Sequence, residues 1–234
     1  MRFISLDLSS KTGWAWFETV DDKLTILDSG NMDPIPLPEN GWYPKNYLEW
    51  SKTVFEKILD TVLSRYNFDY VVIEETAKGS KDAHSQKFLE WLHFHIAMWC
   101  VETIEKNNIK GVYYLQTGEW RTAAGCHMTK EEKKRNQKVT KARNKAESEG
   151  KKIVLVEIEP GKKKVGKVSK KHVAIRRVKE IFDIDLKMKD NDRADALLLG
   201  YAAYNLYFKK GQSCQSQNQD SITSLSNTQN STST

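Results

Sequence analysis

Cysteine is scarce in this chain: only Cys100, Cys126 and Cys214, widely spaced and odd in number. A disulfide framework needs pairs and a zinc site needs closer ligand spacing, so these read as reduced thiols. Long apolar runs are absent too. No stretch approaches the roughly eighteen residues of a membrane span, and Asp7 interrupts the first apolar run, so no N-terminal signal pattern forms. The expectation is a soluble, cytoplasmic protein with no membrane partner. Proline is confined: four of the five (34, 36, 38 and 44) fall within 33–44, which reads as a loop. From 128 to 168 there is no aromatic residue at all. His84, His93, His95, His127 and His172 are scattered, and none is assigned a role. No internal repeat is present.

What is there suffices for a core. Hydrophobic residues make up 39% of 234, with seven tryptophans, which excludes global disorder. One domain is expected over 1–210, with a lysine-rich insertion at about 128–168. A disordered polar tail is expected over 211–234, where Gln, Ser, Asn and Thr leave almost nothing to bury. Charge is uneven. Residues 129–172 hold sixteen Lys or Arg against six Glu, a net of +10. The whole chain carries +6, so the remainder carries −4. Basicity belongs to one segment.

Periodicity predicts strands at 2–8, 14–17, 24–29, 70–73 and 112–115, with Asp21-Asp22 in the second turn. Helices are predicted at 46–66, 83–107, 130–148, 170–182 and 191–208, and a further strand at 152–158 followed by a lysine loop. Three strands that can pair as a meander, then alternating helices and strands, make a mixed sheet and an α/β fold.

Four acids stand out. Asp7 ends the apolar run Arg2-Phe-Ile-Ser-Leu6, and Glu74 ends Tyr70-Val-Val-Ile73. Asp192 and Asp195 open a helical stretch and, three apart, share one face. Asp192 alone reads as a helix N-terminal acid. That explanation does not reach Asp7 or Glu74, because carboxylates are costly to bury at the ends of apolar strands unless paired or metal-bound. Carboxylate oxygens favour Mg²⁺ or Mn²⁺, and four of them can hold two ions about 4 Å apart, the arrangement of phosphodiester hydrolysis. Glu75 points to the opposite strand face from Glu74, and Asp190 reads as loop; either could be an outer residue.

These stretches carry a resemblance. Ile4-Ser-Leu-Asp-Leu-Ser-Ser-Lys-Thr-Gly-Trp-Ala15, Val71-Val-Ile-Glu74 and Asp192-Arg-Ala-Asp-Ala-Leu197 look like the motifs of RuvC-type Holliday junction resolvases, in the right order. The form Lys189-Asp-Asn-Asp-x-x-Asp195-Ala-Leu is similar to poxviral and phage members. Bacterial members usually have Pro-Gly after the first aspartate, where this chain has Leu8-Ser9. The resemblance implies an RNase H-like five-stranded sheet flanked by helices. It also implies a homodimer and metal-dependent paired nicking of four-way DNA junctions, with forks and flaps as further substrates. It makes Asp7, Glu74, Asp192 and Asp195 the catalytic, metal-binding acids, two Mg²⁺ per site with Mn²⁺ as a substitute. The compact chain suggests a bacteriophage protein acting in a bacterial host's cytoplasm.

The basic segment offers phosphate contacts through Lys130, Lys133, Lys134, Arg135, Lys138 and Lys141, with little sequence readout because it lacks aromatics. Lys170, Lys171 and Arg121 are further DNA-binding candidates, the two lysines by similarity to basic residues near the scissile phosphate. An aromatic surplus on helix 83–107 could form a dimer interface. Other RNase H-like activities, RNA–DNA hybrid cleavage or transposase-like strand transfer, remain alternatives, as does a non-catalytic junction-binding protein. An actin-like or sugar-kinase-like ATPase would need Gly-rich phosphate loops that Gly161 and Gly166 do not supply.

Overall fold

The computed structural model describes residues 1–39, 41–76, 83–150, 155 and 165–209. The expected strand at 152–158, most of the lysine loop and the polar tail lie outside the described residues. Among those described, five strands form one mixed sheet. β1 (Arg2–Asp7), β2 (Gly13–Val20) and β3 (Lys23–Asn31) make an antiparallel meander. The β2–β3 turn is closed by Asp21 and Asp22, both with positive φ, which matches the strand twist. β4 (Tyr70–Glu74) lies parallel to β1, and β5 (Gly111–Leu115) parallel to β4, giving the order β3-β2-β1-β4-β5.

Alternation along β1 explains its position. Ile4 and Leu6 face one side, while Phe3, Ser5 and Asp7 face the other, and Phe3 to Leu6 are all buried. A strand covered on both faces reads as a continuous apolar run. The first face is covered by α1 (Lys45–Ile58) and α2 (Ala83–Glu105), through Val54, Ile58, Leu92 and Ile96. The second is covered by α3 (Thr117–Ala123), α5 (Lys170–Phe182) and α6 (Asn191–Ala203). Each fully buried aliphatic or Phe contributes about 1.5–3 kcal/mol. α4 (Lys130–Ser148) stands beside this layer. It is tied in by Val139 and Ala146, by two 2.8 Å hydrogen bonds between the Asn136 side chain and the Val168 backbone, and by the Glu132–Arg176 ion pair.

The helices expected over 46–66 and 191–208 stop early. α1 continues as a π-helical turn, Leu59–Leu63, and α6 as another, Tyr204–Phe208. α3 was not expected. No helix among the described residues is long and apolar enough to cross a membrane.

α6 lies unusually close to the sheet. A Cβ on Gly200 would sit 2.2 Å from Phe17 Cε2, so only glycine lets the helix rest on that ring. Ser5, fully buried, donates its hydroxyl to the Ala196 carbonyl at 2.7 Å, which fixes the helix along β1.

Candidate active site at the carboxyl ends of the central strands

The register Leu6↔Ile73 places Asp7 and Glu74 in the next row of two parallel strands, on the face covered by α6. The same row continues through Gly13, which pairs with Asp7. α6 begins directly above Gly13 and supplies Asp192 and Asp195 from its first two turns. Residues separated by up to 188 positions thus converge at one end of the sheet. The helix begins at Asn191 with no side-chain cap, so Asp192 does not serve as the N-cap.

Electrostatics show the convergence. Burial pushes the Asp7 carboxyl well above the usual range, and the charges of Glu74, Asp195 and Asp192 add to the rise. Asp195 is raised to about 6, by burial first and by the charges of Glu74 and Asp192, against the opposing pull of Arg121 and Lys171. Glu74, Asp192 and Asp195 each also have a partner. Glu74 accepts a short hydrogen bond from Thr117 Oγ1, at the start of α3. Asp192 accepts from the Asn191 side chain and lies 3.6 Å from Lys11 Nζ. Lys11 is presented by the β1–β2 turn, which Thr12 closes through hydrogen bonds to the Ser9 backbone. Arg121 Nη2 bridges both oxygens of Asp195 at 3.1 Å each.

The donor set is all hard oxygen, which fits Mg²⁺ or Mn²⁺ and not softer metals. Among the described residues, however, no three acids are already drawn in around one point as a finished metal cage. Glu74, Asp192 and Asp195 are bonded instead to Thr117, Asn191 and Arg121.

The basic candidates divide. Arg121 sits among the acids, its guanidinium carbon 4.3 Å from the Trp120 ring centroid, and is not a surface contact. Lys171 is close enough to influence Asp195, and Lys170 shares a cavity with Arg121 and Lys133. On α4, Lys130, Lys134, Lys138 and Lys141 are exposed at three- and four-residue spacing, a stripe that Lys145 extends. Lys133 is also exposed; Arg135 donates to the Gly166 carbonyl and helps hold the chain beyond the insertion. Asp190 lies in a short turn and accepts from the Lys187 amide, and Glu75 follows β4, its amide bonded to Leu115. Neither joins the four.

Sequence reasoning missed Lys11, Thr117 and Ser5. Lys11 in a turn after a strand acid was the one available signal.

No family model and no curated protein matches this sequence. Solved structures do. The chain is similar to Thermus thermophilus RuvC in complex with Holliday junction substrate, at 12% identity and a TM-score of 0.54 over 88% of this chain and 94% of that one. A second Thermus thermophilus RuvC structure matches at 13% identity and 0.52, again over 88% and 94%. At such identity the likeness establishes the fold, which is the RNase H-like fold.

Proposed function

We propose that this protein is a metal-dependent, structure-selective endonuclease that resolves four-way DNA junctions by paired nicking, a crossover junction endodeoxyribonuclease of the RuvC type. The observation that carries this reading is the convergence of Asp7, Glu74, Asp192 and Asp195 in one part-buried cluster on an RNase H-like sheet. The similar Thermus protein, caught on a Holliday junction, supports the same substrate class.

Asp7 and Glu74 from the sheet and the two aspartates of α6 would hold two Mg²⁺ or Mn²⁺ ions. When bound, such ions supply an activated water and stabilise the charge on the leaving 3′-oxygen of a phosphodiester. The chain's own residues do the rest. The sheet and α6 fix the carboxylates together, where burial and the neighbouring acids raise the proton affinity of Asp7 and Asp195. Lys11 and Lys171 offset the negative charge at the mouth and admit a phosphate. The lysine stripe on α4, about 22 Å from Lys130 to Lys145, neutralises backbone phosphates farther along an arm without reading bases.

Paired nicks on opposite strands require two sites at a fixed spacing, which a two-fold homodimer supplies. α2 offers the surface: Phe94, Met98 and Val101 are 60%, 46% and 51% exposed in one stripe. The two tryptophans of α2, Trp91 and Trp99, are only part-exposed, Trp91 against Tyr43 and Trp99 against the core.

The test is cleavage of a synthetic four-way junction in Mg²⁺ beside forks, flaps, linear duplex and an RNA–DNA hybrid. Symmetric nicks confined to branched DNA are expected. Equal cutting of linear duplex, or preference for the hybrid, would replace this reading with another RNase H-like activity.

A further inference from the structure

The guanidinium of Arg121 occupies the position a cation would take at Asp195. One nitrogen, Nη2, spans both carboxylate oxygens at 3.1 Å, and the pair is well shielded, with side chains 15% and 14% exposed. Its other donors are poorly used. Nη1 lies 3.7 Å from the Cys126 sulfur, a weak acceptor, and Nε is buried with no hydrogen-bond partner. The guanidinium plane rests on Trp120, which is itself fully buried. A guanidinium has five donors in a fixed fork suited to phosphate oxygens, so this one is only partly satisfied by a single aspartate.

Beside it opens a cavity of about 220 Å³, lined by Arg121, Cys126, His127, Met128, Lys133, Lys170 and Val173. Its wall is pinned: Arg176 donates to the His127 carbonyl and Arg177 to that of Ala124. Three cationic side chains thus converge on a pocket one step from Asp195, and no acid lines it.

We infer that Arg121 is an internal counter-ion that holds Asp195 closed to metal until an anionic phosphodiester in the neighbouring pocket draws the guanidinium away. It is a positioning residue, and the inference rests on the metal-site reading above. Metal and phosphate then favour each other's binding, by the same factor in each direction. Free protein stays poorly loaded with metal, and loading follows arrival of the DNA backbone.

The experiment is Mn²⁺ titration by calorimetry without DNA, for the wild type, Arg121→Gln and Arg121→Lys, with thermal unfolding as a folding control. Arg121→Gln is expected to bind Mn²⁺ about 5–150-fold more tightly than wild type, the usual span of such couplings. Lys, a point charge that cannot bridge two oxygens, should fall between them. In an Asp195→Asn background the Gln substitution should change nothing. Sulfate, against chloride at matched ionic strength, should tighten Mn²⁺ binding to wild type and not to Arg121→Gln. Should Arg121→Gln fail to fold, Arg121→Lys and the sulfate arm on wild type still decide the matter. If wild type binds Mn²⁺ but neither Arg121 substitution tightens it, the counter-ion role is wrong and the metal site stands. If no protein binds Mn²⁺ at millimolar concentration, the metal site itself is wrong, and this role with it.

Discussion

A Cβ placed on Gly13 would lie 2.0 Å from the backbone oxygen of Asp192, so the first turn of α6 rests directly on the start of β2. The distance between strand acids and helix acids is therefore set by backbone contact, with no side chain between. Gly13→Ala should force the helix start outward. The cost in stability should be about 1–3 kcal/mol, typical of overpacking. More telling, Mn²⁺ affinity by calorimetry should fall even where thermal unfolding shows the variant folded. A variant that binds Mn²⁺ like wild type would show that α6 adjusts freely.

Asp7→Asn, Glu74→Gln and Asp195→Asn each keep the shape of the site and remove one charge. Each should slow junction nicking by at least about 10²–10³-fold, the scale of losing one preorganised electrostatic group. Junction binding by gel shift should persist. Retained nicking in Asp7→Asn would remove that residue from the site.

The raised Asp195 carboxyl carries a pH signature. Its proton is held more tightly when folded, at about 6, than the 3.8 of an ordinary aspartate. The associated stability is fully present below about pH 3.8 and is lost as pH rises through about 6. The span is at most about 3 kcal/mol. In metal-free buffer, wild type should lose melting temperature relative to Asp195→Asn between about pH 4 and 6.5, and Mn²⁺ should restore it at the alkaline end. Parallel curves for the two proteins would show that Asp195 is not strained by its neighbours.

Replacing Lys130, Lys134, Lys138 and Lys141 with Gln should weaken binding to all junction sequences alike. Each lost phosphate contact should reduce the slope of log K against log salt by about 0.9. An unchanged slope would mean that the α4 stripe faces solvent only.

The stripe on α2 makes a separate prediction. Phe94→Glu with Met98→Lys should give a monomer by analytical ultracentrifugation, and single nicks should replace paired ones on a junction. A wild-type monomer bound to junction DNA would overturn the dimer.

Much of this arrangement is legible in the sequence, for physical reasons. A carboxylate at the end of a mainly apolar strand breaks the pattern visibly, which marks Asp7 and Glu74. The helix expected at 170–182 matches α5, whose amphipathic spacing is complete and whose start is capped by Ser169. Other features leave little trace. The π-helical turn at Leu59–Leu63 keeps both Val62 and Leu63 buried, and a period of 3.6 extends smoothly over it. α3 is only seven residues long and contains Gly118, too short for periodicity to show. Arg121 reads as a DNA contact from its charge alone. Its partner Asp195 lies 74 residues on and comes into view only when the fold closes.

Half of the acid cluster rides on α6, the last long helix among the described residues, while all five described strands of the sheet that receives it lie before residue 116. A ribosome-bound or truncated chain ending before Asn191 contains all five described strands yet carries no more than two of the four carboxylates. On the proposed reading the topology works as a completion check: a polypeptide without α6 would lack half of the acids that cleavage requires.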